Sequence, residues 1–253
     1  MFQVSHTNLL TQAKKHWSGN AFTPRVLDIG CGDARFLQLC RAHFPKASLF
    51  GMDISSAMLA QGRQRVDFLP LHLEIKEGLE LLVKSEIKFD FIVLSYISAY
   101  LDLKDILPKV KSLLTTRGIV LYQSGLANNF PNLLDIVVRE YGSSRNPLKN
   151  RVFFHAQAAR DKLHNFVDEG SMMKAFETQK MKVLSSGVLR IPLCNYTLND
   201  YITFMLKGSW LSVNIGARER FILNILARLK VLSYPKQDDF VLGYCIGGVE
   251  TAD

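Results

Sequence analysis

Short apolar runs alternate with amphipathic stretches through the first half of the chain. The runs carry β-branched and aromatic residues and end at Gly, Asp or Ser, which is typical of buried strands. The stretches between them place apolar residues at helical spacing. Strands are predicted at 25–29, 48–52, 71–75, 89–95 and 119–124, and helices at 7–17, 34–43, 55–66 and 103–114. This alternation predicts a parallel sheet with helices on both faces.

The pattern is less regular after residue 124. Helices are predicted at 132–141, 156–180, 199–206 and 217–232, and strands at 182–189 and 240–249. No internal repeat, low-complexity segment or linker divides the chain. The simplest organisation is therefore a single domain with insertions. The domain spans residues 1–253, with a core at about 24–124 and insertions at about 125–180 and 190–236.

Composition indicates a globular protein with a sizeable core. The chain has 253 residues, of which 48% are hydrophobic and 21% are charged. Its net charge of +8 favours an anionic partner but lacks the concentration of a nucleic-acid-binding tail. No signal peptide is apparent, and no window approaches the about 18 apolar residues of a membrane span. We expect a cytoplasmic protein without integral membrane contact.

The cysteines give no reason to expect a metal site. None of the four forms a C-x-x-C pair, and no histidine stands at ligand spacing from them. They are Cys31, Cys40, Cys194 and Cys245. Scattered in this way, they are typical of reduced thiols in a cytosolic protein.

The first predicted strand ends in a glycine loop, D-I-G-C-G-D-A at 28–34. Gly30 and Gly32 permit positive φ and remove the Cβ atoms that would block a ligand. A dinucleotide would place its pyrophosphate on the next helix, but that fingerprint needs a third glycine where Arg35 stands. Acidic residues on both sides of the glycines would also repel a phosphate. They would attract a cationic ligand.

The loop resembles the strand 1 motif of class I S-adenosylmethionine-dependent methyltransferases, D/E-x-G-x-G-x-G/A. G-M-D-I-S-S-A-M-L at 51–59 resembles the family's G-x-D-x-S-x-x-M-L, and K-F-D-F-I-V at 88–93 resembles its F-D-x-I/V. E-G-L at 77–79 is similar to its acidic turn after strand 3. The resemblance covers about residues 24–124. It implies a Rossmann-like, doubly wound α/β fold with a mostly parallel seven-stranded sheet and helical lid insertions.

The resemblance also implies a cofactor and the residues that hold it. The cofactor would be S-adenosylmethionine, leaving as S-adenosylhomocysteine. Asp53 would take both ribose hydroxyls, and Glu77 would meet the adenine amino group. The implied cofactor residues are Asp28, Gly30, Cys31, Gly32, Asp53, Ile54, Met58, Glu77, Gly78, Leu79 and Ser95. A structural alternative exists for the two carboxylates: Asp53 as a helix cap and Glu77 as a solvated loop residue.

The acceptor is less well defined by the sequence. Methyl transfer from a sulfonium is an in-line displacement that mainly needs alignment, and a base helps only when the acceptor carries a proton. The candidate catalytic residues are Tyr96, His155 and His164, and Ser98 could share the pocket of Tyr96. The fourth predicted strand ends without the N/D/S-P-P-Y/F motif that clamps a flipped base. The sequence therefore favours a small-molecule acceptor, methylated at oxygen or nitrogen, and leaves the oligomeric state open.

Two alternatives stay open at this point. Residues 145–162 interleave basic and aromatic side chains, which suits phosphate contact and base stacking in an RNA methyltransferase. Residues 217–231 form a basic amphipathic pattern, which would suit a membrane surface or a partner of a non-catalytic scaffold.

Overall fold

The structure is a computed structural model that describes residues 2–18, 23–127, 168–194 and 237–249, with the single residues 132, 145, 147 and 166. Within these residues seven strands form one sheet, in the order β3-β2-β1-β4-β5-β7-β6. The strands are β1 (Arg25–Ile29), β2 (Ser48–Asp53), β3 (Leu69–His72), β4 (Phe89–Ser95), β5 (Leu114–Gly125), β6 (Met181–Cys194) and β7 (Gln237–Val249). The helices are α1 (Phe2–His16), α2 (Arg35–His43), α3 (Ser56–Arg63), α4 (Ile75–Lys84), α5 (Leu103–Ser112) and α6 (Glu169–Thr178).

The sheet is mostly parallel, as predicted. β1 pairs in parallel with β2 on one side and with β4 on the other, while β5 pairs antiparallel with β7. The chain runs outward from β1 through β2 to β3 and then returns to β4 on the opposite side of β1. The strand order therefore reverses between β1 and β4, and the carboxyl ends of these strands flank the place where doubly wound sheets bind ligands. The predicted α/β fold is confirmed.

Both faces of the sheet are buried. Successive strand residues point to opposite faces, so Val26 and Phe91 pack in one apolar cluster while Leu27 and Ile92 pack in the other. This explains why the strands appear in the sequence as almost continuous apolar runs.

The third strand lies earlier in the chain than predicted. It ends at His72, and Glu74 then caps α4 by accepting hydrogen bonds from the backbone N–H groups of Lys76 and Glu77. The cap and the helical spacing of the apolar residues after it begin a helix at Ile75, where the sequence analysis had continued a strand.

Several other helices and strands are longer than predicted. α1 begins at Phe2, five residues before the predicted start, and β5 begins at Leu114 with an irregular register opposite Phe89 and Phe91. Gly118 allows this irregularity, because a Cβ atom there would lie 2.7 Å from the Phe89 carbonyl oxygen. β6 and β7 are also longer than predicted. The predicted helices at 199–206 and 217–232 lie outside the described residues.

The chain divides into two compact units. One comprises Met1–Leu126, Phe166–Leu189 and Leu242–Asp253, and the other comprises Ala127–Asn165 and Arg190–Val241. The single domain with lid insertions stays a prediction. Among the described residues, no helix has the length and apolar character needed to span a membrane.

Candidate functional site at the ends of β1, β2 and β4

The conformation of the loop after β1 is fixed by its backbone dihedral angles and hydrogen bonds. Gly30, Gly32 and Ala34 all have positive φ, at 72°, 51° and 59°. The N–H groups of Gly30 and Cys31 both donate to the Met52 carbonyl, at 2.8 and 3.0 Å, which ties the loop to the end of β2. A side chain at Gly30 would be strained by its φ, and its Cβ would lie 3.0 Å from Ile97. The glycines are therefore required by the turn itself.

Asp53 connects this loop to the end of β2. One carboxylate oxygen accepts from the N–H of Gly32 and the other from the N–H of Ser55, each at 2.8 Å. The cap of α3 is Ser55, whose hydroxyl accepts from the N–H of Met58. Asp53 is thus not the helix cap that was the structural alternative. Each of its oxygens keeps acceptor capacity for a ligand.

Apolar side chains stand exposed beside Asp53. Ile54 is 70% exposed and Met58 is 37% exposed, although both lie next to the buried end of the sheet. Met58 also approaches the glycine loop, since a Cβ atom at Gly32 would lie 3.4 Å from its terminal methyl. A carboxylate between two exposed apolar side chains can hold a ligand that combines hydroxyl groups with a flat ring.

Asp28 and Cys31 are buried under the loop. Asp28 is 2% exposed, and burial raises the pKa of its carboxyl well above the usual value, with the neighbouring charge of Asp53 adding to the effect. Burial also raises the pKa of the Cys31 thiol, and both carboxylates add to this rise. The thiol of Cys31 is therefore protonated and packs as a small apolar group.

The residues predicted to form the turn after strand 3 lie elsewhere. Glu77, Gly78 and Leu79 belong to α4 and not to a strand end, which corrects the sequence analysis. Gly78 lets α4 pack on β2, because a Cβ atom there would lie 2.6 Å from Met52, and Leu79 is fully buried. The acidic residue that directly follows β3 is Glu74, which the motif comparison missed. Its signal in the sequence was a carboxylate preceding a helical apolar pattern. An adenine contact by Glu77 stays a prediction.

The end of β4 meets the N-terminal helix. Ser95 Oγ accepts a hydrogen bond from Gln123 Nε2 at 2.8 Å and lies 3.3 Å from His6 Nε2. Tyr96, at φ 60°, brings its hydroxyl within 2.7 Å of Ser5 Oγ. Segments from α1, β4 and β5 therefore converge here, and the sequence analysis named only those of β4.

The titratable groups at this end are held uncharged. The pKa of His6 is lowered to about 4, mainly by burial and further by the charge of Arg35, while Asp33 opposes the shift. Burial raises the pKa of Tyr96 above its usual value. Tyr96 is therefore a phenol and not a phenolate at neutral pH. His155 and His164 lie outside the described residues, as do residues 217–231 and all of 145–162 except Arg145 and Pro147.

Comparison with known proteins agrees with this geometry. Residues 27–120 match the family model of a methyltransferase domain. The chain is 37% identical over 70 residues to trans-aconitate 2-methyltransferase of Acidovorax sp. strain JS42, which covers 27% of this chain and 26% of that protein. It is 46% identical over 41 residues to malonyl-[acyl-carrier protein] O-methyltransferase of Legionella pneumophila, covering 16% and 14%. The chain thus matches about a quarter or less of the length of these curated relatives.

A solved structure extends the likeness in fold. Phosphoethanolamine N-methyltransferase 2 of Haemonchus contortus, in complex with phosphomonomethylethanolamine and S-adenosylhomocysteine, superposes with a TM-score of 0.53 at 12% identity. The superposition covers 96% of this chain and 53% of that one. Residues 27–120 therefore match a methyltransferase domain, in agreement with the resemblance of the motifs, and the solved structure shows a likeness in fold.

Proposed function

We propose that this protein binds S-adenosylmethionine at the ends of β1 and β2 and transfers its methyl group to a small-molecule acceptor. The observation that carries the proposal is the Asp53 carboxylate, which accepts from the Gly32 N–H and retains acceptor capacity beside an open glycine loop. This arrangement stands at the switch point of the sheet, where such folds bind ligands.

The residues present fit this cofactor. Asp53 offers carboxylate oxygens for two ribose hydroxyls, and the exposed apolar surfaces of Ile54 and Met58 suit the faces of an adenine ring. Burial raises the pKa of the Asp28 carboxyl and favours its neutral form, so a bound cation would stabilise the ionised carboxylate and be attracted by it.

When bound, the cofactor supplies a methyl group already activated by a positively charged sulfur. Asp33 is paired with Arg35 and Arg65, so Asp53 is the carboxylate that favours that charge. The loop glycines let the ligand approach the backbone.

The end of β4 borders both ligands in this proposal, with Ser95 beside the cofactor and Tyr96 beside the acceptor. Ser95 and Tyr96 stand beside the switch point, and α1 covers them through His6 and Ser5. Alignment and exclusion of water supply most of what this displacement requires from a protein.

A carboxylate oxygen is the acceptor that we propose to test first. Trans-aconitate and a malonyl thioester, which the relatives' names mention, both carry carboxylates. A carboxylate is already ionised at neutral pH and needs no base. This agrees with a β4 end whose His6 and Tyr96 are uncharged and poorly suited to proton removal at pH 7. A cytoplasmic location, suggested by four free cysteines, belongs to the same proposal.

Calorimetric titration of the purified protein tests the cofactor assignment. We expect S-adenosylmethionine and S-adenosylhomocysteine to bind and NADH not to bind. Transfer of labelled methyl from S-adenosylmethionine to trans-aconitate, malonyl thioesters and bulk RNA then identifies the acceptor class. Binding of NADH in place of the sulfur ligands would contradict the proposal. Labelling of RNA alone would replace the small-molecule acceptor with the RNA alternative.

A further inference from the structure

A histidine from the N-terminal helix reaches the end of β4. His6 is the fifth residue of α1, and its ring contacts Phe36 edge-on at 5.4 Å between centroids. Its Nε2 atom lies 3.3 Å from Ser95 Oγ, and the two residues are 89 positions apart in the chain. Neither the glycine motifs nor the acceptor motif of the sequence includes this residue.

One of the two hydrogen bonds at Ser95 has a fixed direction, because Gln123 Nε2 is a donor and Ser95 Oγ accepts from it at 2.8 Å. His6 is neutral at pH 7, since its pKa is lowered to about 4. Its Nε2 atom, 3.3 Å from Ser95 Oγ, accepts the hydroxyl proton in the tautomer protonated on Nδ1 and donates to Oγ in the other tautomer.

We infer that His6 carries its proton on Nδ1 and is a positioning residue: it accepts the Ser95 proton, turns it away from the cofactor site and leaves an oxygen lone pair of Ser95 for the cofactor. A serine oxygen has two lone pairs, and the bond from Gln123 occupies one of them. The second is then available to the positive end of the cofactor. If the proton were free to rotate, it would place a positive charge density toward that same cation. The inference rests on the proposed function, since it needs a cationic ligand beside Ser95.

The test compares a cationic with an uncharged sulfur at the same site. S-adenosylmethionine carries a sulfonium and S-adenosylhomocysteine a neutral thioether, so the ratio of their affinities reports on the polarity of Ser95. His6→Phe keeps a ring against Phe36 and removes the acceptor atom. We expect it to reduce affinity for S-adenosylmethionine about fivefold relative to S-adenosylhomocysteine, the value of one ordinary hydrogen bond. His6→Gln restores an acceptor and should keep the ratio of the parent protein.

Ser95→Ala, and the double variant that combines it with His6→Phe, complete a double-mutant cycle. Ser95→Ala should change the ratio as His6→Phe does, and adding His6→Phe to it should change the ratio no further, because the two act through one hydroxyl. His16→Phe places the same substitution at the exposed end of α1 and is the matched control. Calorimetry gives the affinities, and thermal unfolding shows that each variant is folded.

The outcomes separate the inference from the proposed function. The inference is supported if affinity for S-adenosylmethionine falls relative to that for S-adenosylhomocysteine in His6→Phe, and not in His6→Gln or His16→Phe. Equal losses for both ligands, or an unchanged ratio, would show a merely structural histidine and overturn it while the cofactor assignment stands. If the parent protein bound neither ligand, the proposed function would fail and the inference with it.

Discussion

The two sides of the switch point are built from different chemistry. The side proposed to hold the cofactor, called the cofactor side, comprises residues 28–34 and 53–58; it contains three aspartates, of which Asp33 is paired with arginines, and depends on the backbone. Its loop amides donate to a carbonyl and to the Asp53 carboxylate. The α1 side, formed by His6, Ser95 and Gln123, is uncharged and consists of side chains. In the proposed function, the first side would attract a positive ligand by its charge, and the second would present fixed dipoles to it.

The difference also concerns distance along the chain. The Asp53 bridge joins residues 21 positions apart, within two consecutive strand-loop units. The α1 side joins residues 89 and 28 positions apart, from three separate elements. We therefore expect substitutions on the cofactor side to change affinity strongly and substitutions on the α1 side to change discrimination and pH response.

Asp53→Ala should have the largest effect. Two charge-assisted hydrogen bonds to ribose hydroxyls would be lost, at about 2 kcal/mol each, so affinity for S-adenosylmethionine should fall about a thousandfold. Stability should fall less, because the N–H groups of Gly32 and Ser55 lose their partner but lie near solvent. Calorimetry measures the first effect and urea unfolding the second.

Asp67→Ala is the matched control for this substitution, because Asp67 is an exposed aspartate on the same half of the sheet. It should leave cofactor affinity unchanged. An Asp53→Ala variant that bound S-adenosylmethionine as tightly as the parent would show that the ribose contact is wrong.

Acid should destabilise the α1 side through His6. Its pKa is about 4 in the folded protein and 6.5 ordinarily, so the unfolded chain binds more protons between these values. Stability is unaffected by this group above about pH 6.5 and decreases as pH falls toward 4, by up to about 3 kcal/mol. Arg35 contributes to this response and Asp33 opposes it. Urea unfolding at pH 7 and pH 4.5 should show a smaller pH dependence in His6→Phe than in the parent. Equal dependence in both proteins would mean that His6 is not buried as described.

Asp28→Asn should have opposite effects on stability and binding. Because burial raises the pKa of Asp28 in the fold, ionising it destabilises the folded state as pH rises above the usual carboxyl range. A neutral amide removes that cost at pH 7, so thermal unfolding should occur at a higher temperature. Affinity for S-adenosylmethionine should fall about tenfold, because a bound cation favours the ionised form of Asp28 and an amide cannot ionise. Affinity for S-adenosylhomocysteine, which has no sulfonium, should fall less. A variant that is destabilised and binds normally would contradict this role.

The fold and the position of the glycine loop in it could be predicted because their signals are local. The apolar run at 89–95 matches β4 at both ends, and the glycine loop and Asp53 lie where the motifs placed them. The error at Glu77 has a local cause as well. A carboxylate at Glu74 began a helix two residues after β3, and the apolar residues at 71–75 fit a strand equally well.

The α1 side could not be predicted for a physical reason. His6, Ser95 and Gln123 come together only when α1 packs across the sheet, and no periodicity relates residues so far apart. Burial of His6 changes its protonation, which is a property of the packed structure and not of the residue type. The long-range contacts that define the acceptor end therefore emerge only from the fold.

Ala34→Gly should have the smallest effect, although it restores the commoner glycine of the motif. Ala34 has φ 59°, a conformation that costs an L-residue about 1 kcal/mol, so glycine relieves strain. Its methyl group is buried, however, and packs against α3, since a Cβ atom at Gly62 would lie 2.9 Å from it. Losing the methyl costs about 0.8 kcal/mol.

These two terms nearly cancel, so Ala34→Gly should unfold at almost the temperature of the parent and bind S-adenosylmethionine equally well. Gly62→Ala provides the contrast. It forces the two methyl groups together and should be destabilising by about 1–3 kcal/mol, and adding Ala34→Gly should recover part of that loss. Thermal unfolding of the three variants measures the coupling. If the two changes in unfolding free energy simply added, the methyl groups at 34 and 62 would not meet. The small residue at 34 would then serve the ligand and not the packing of α3.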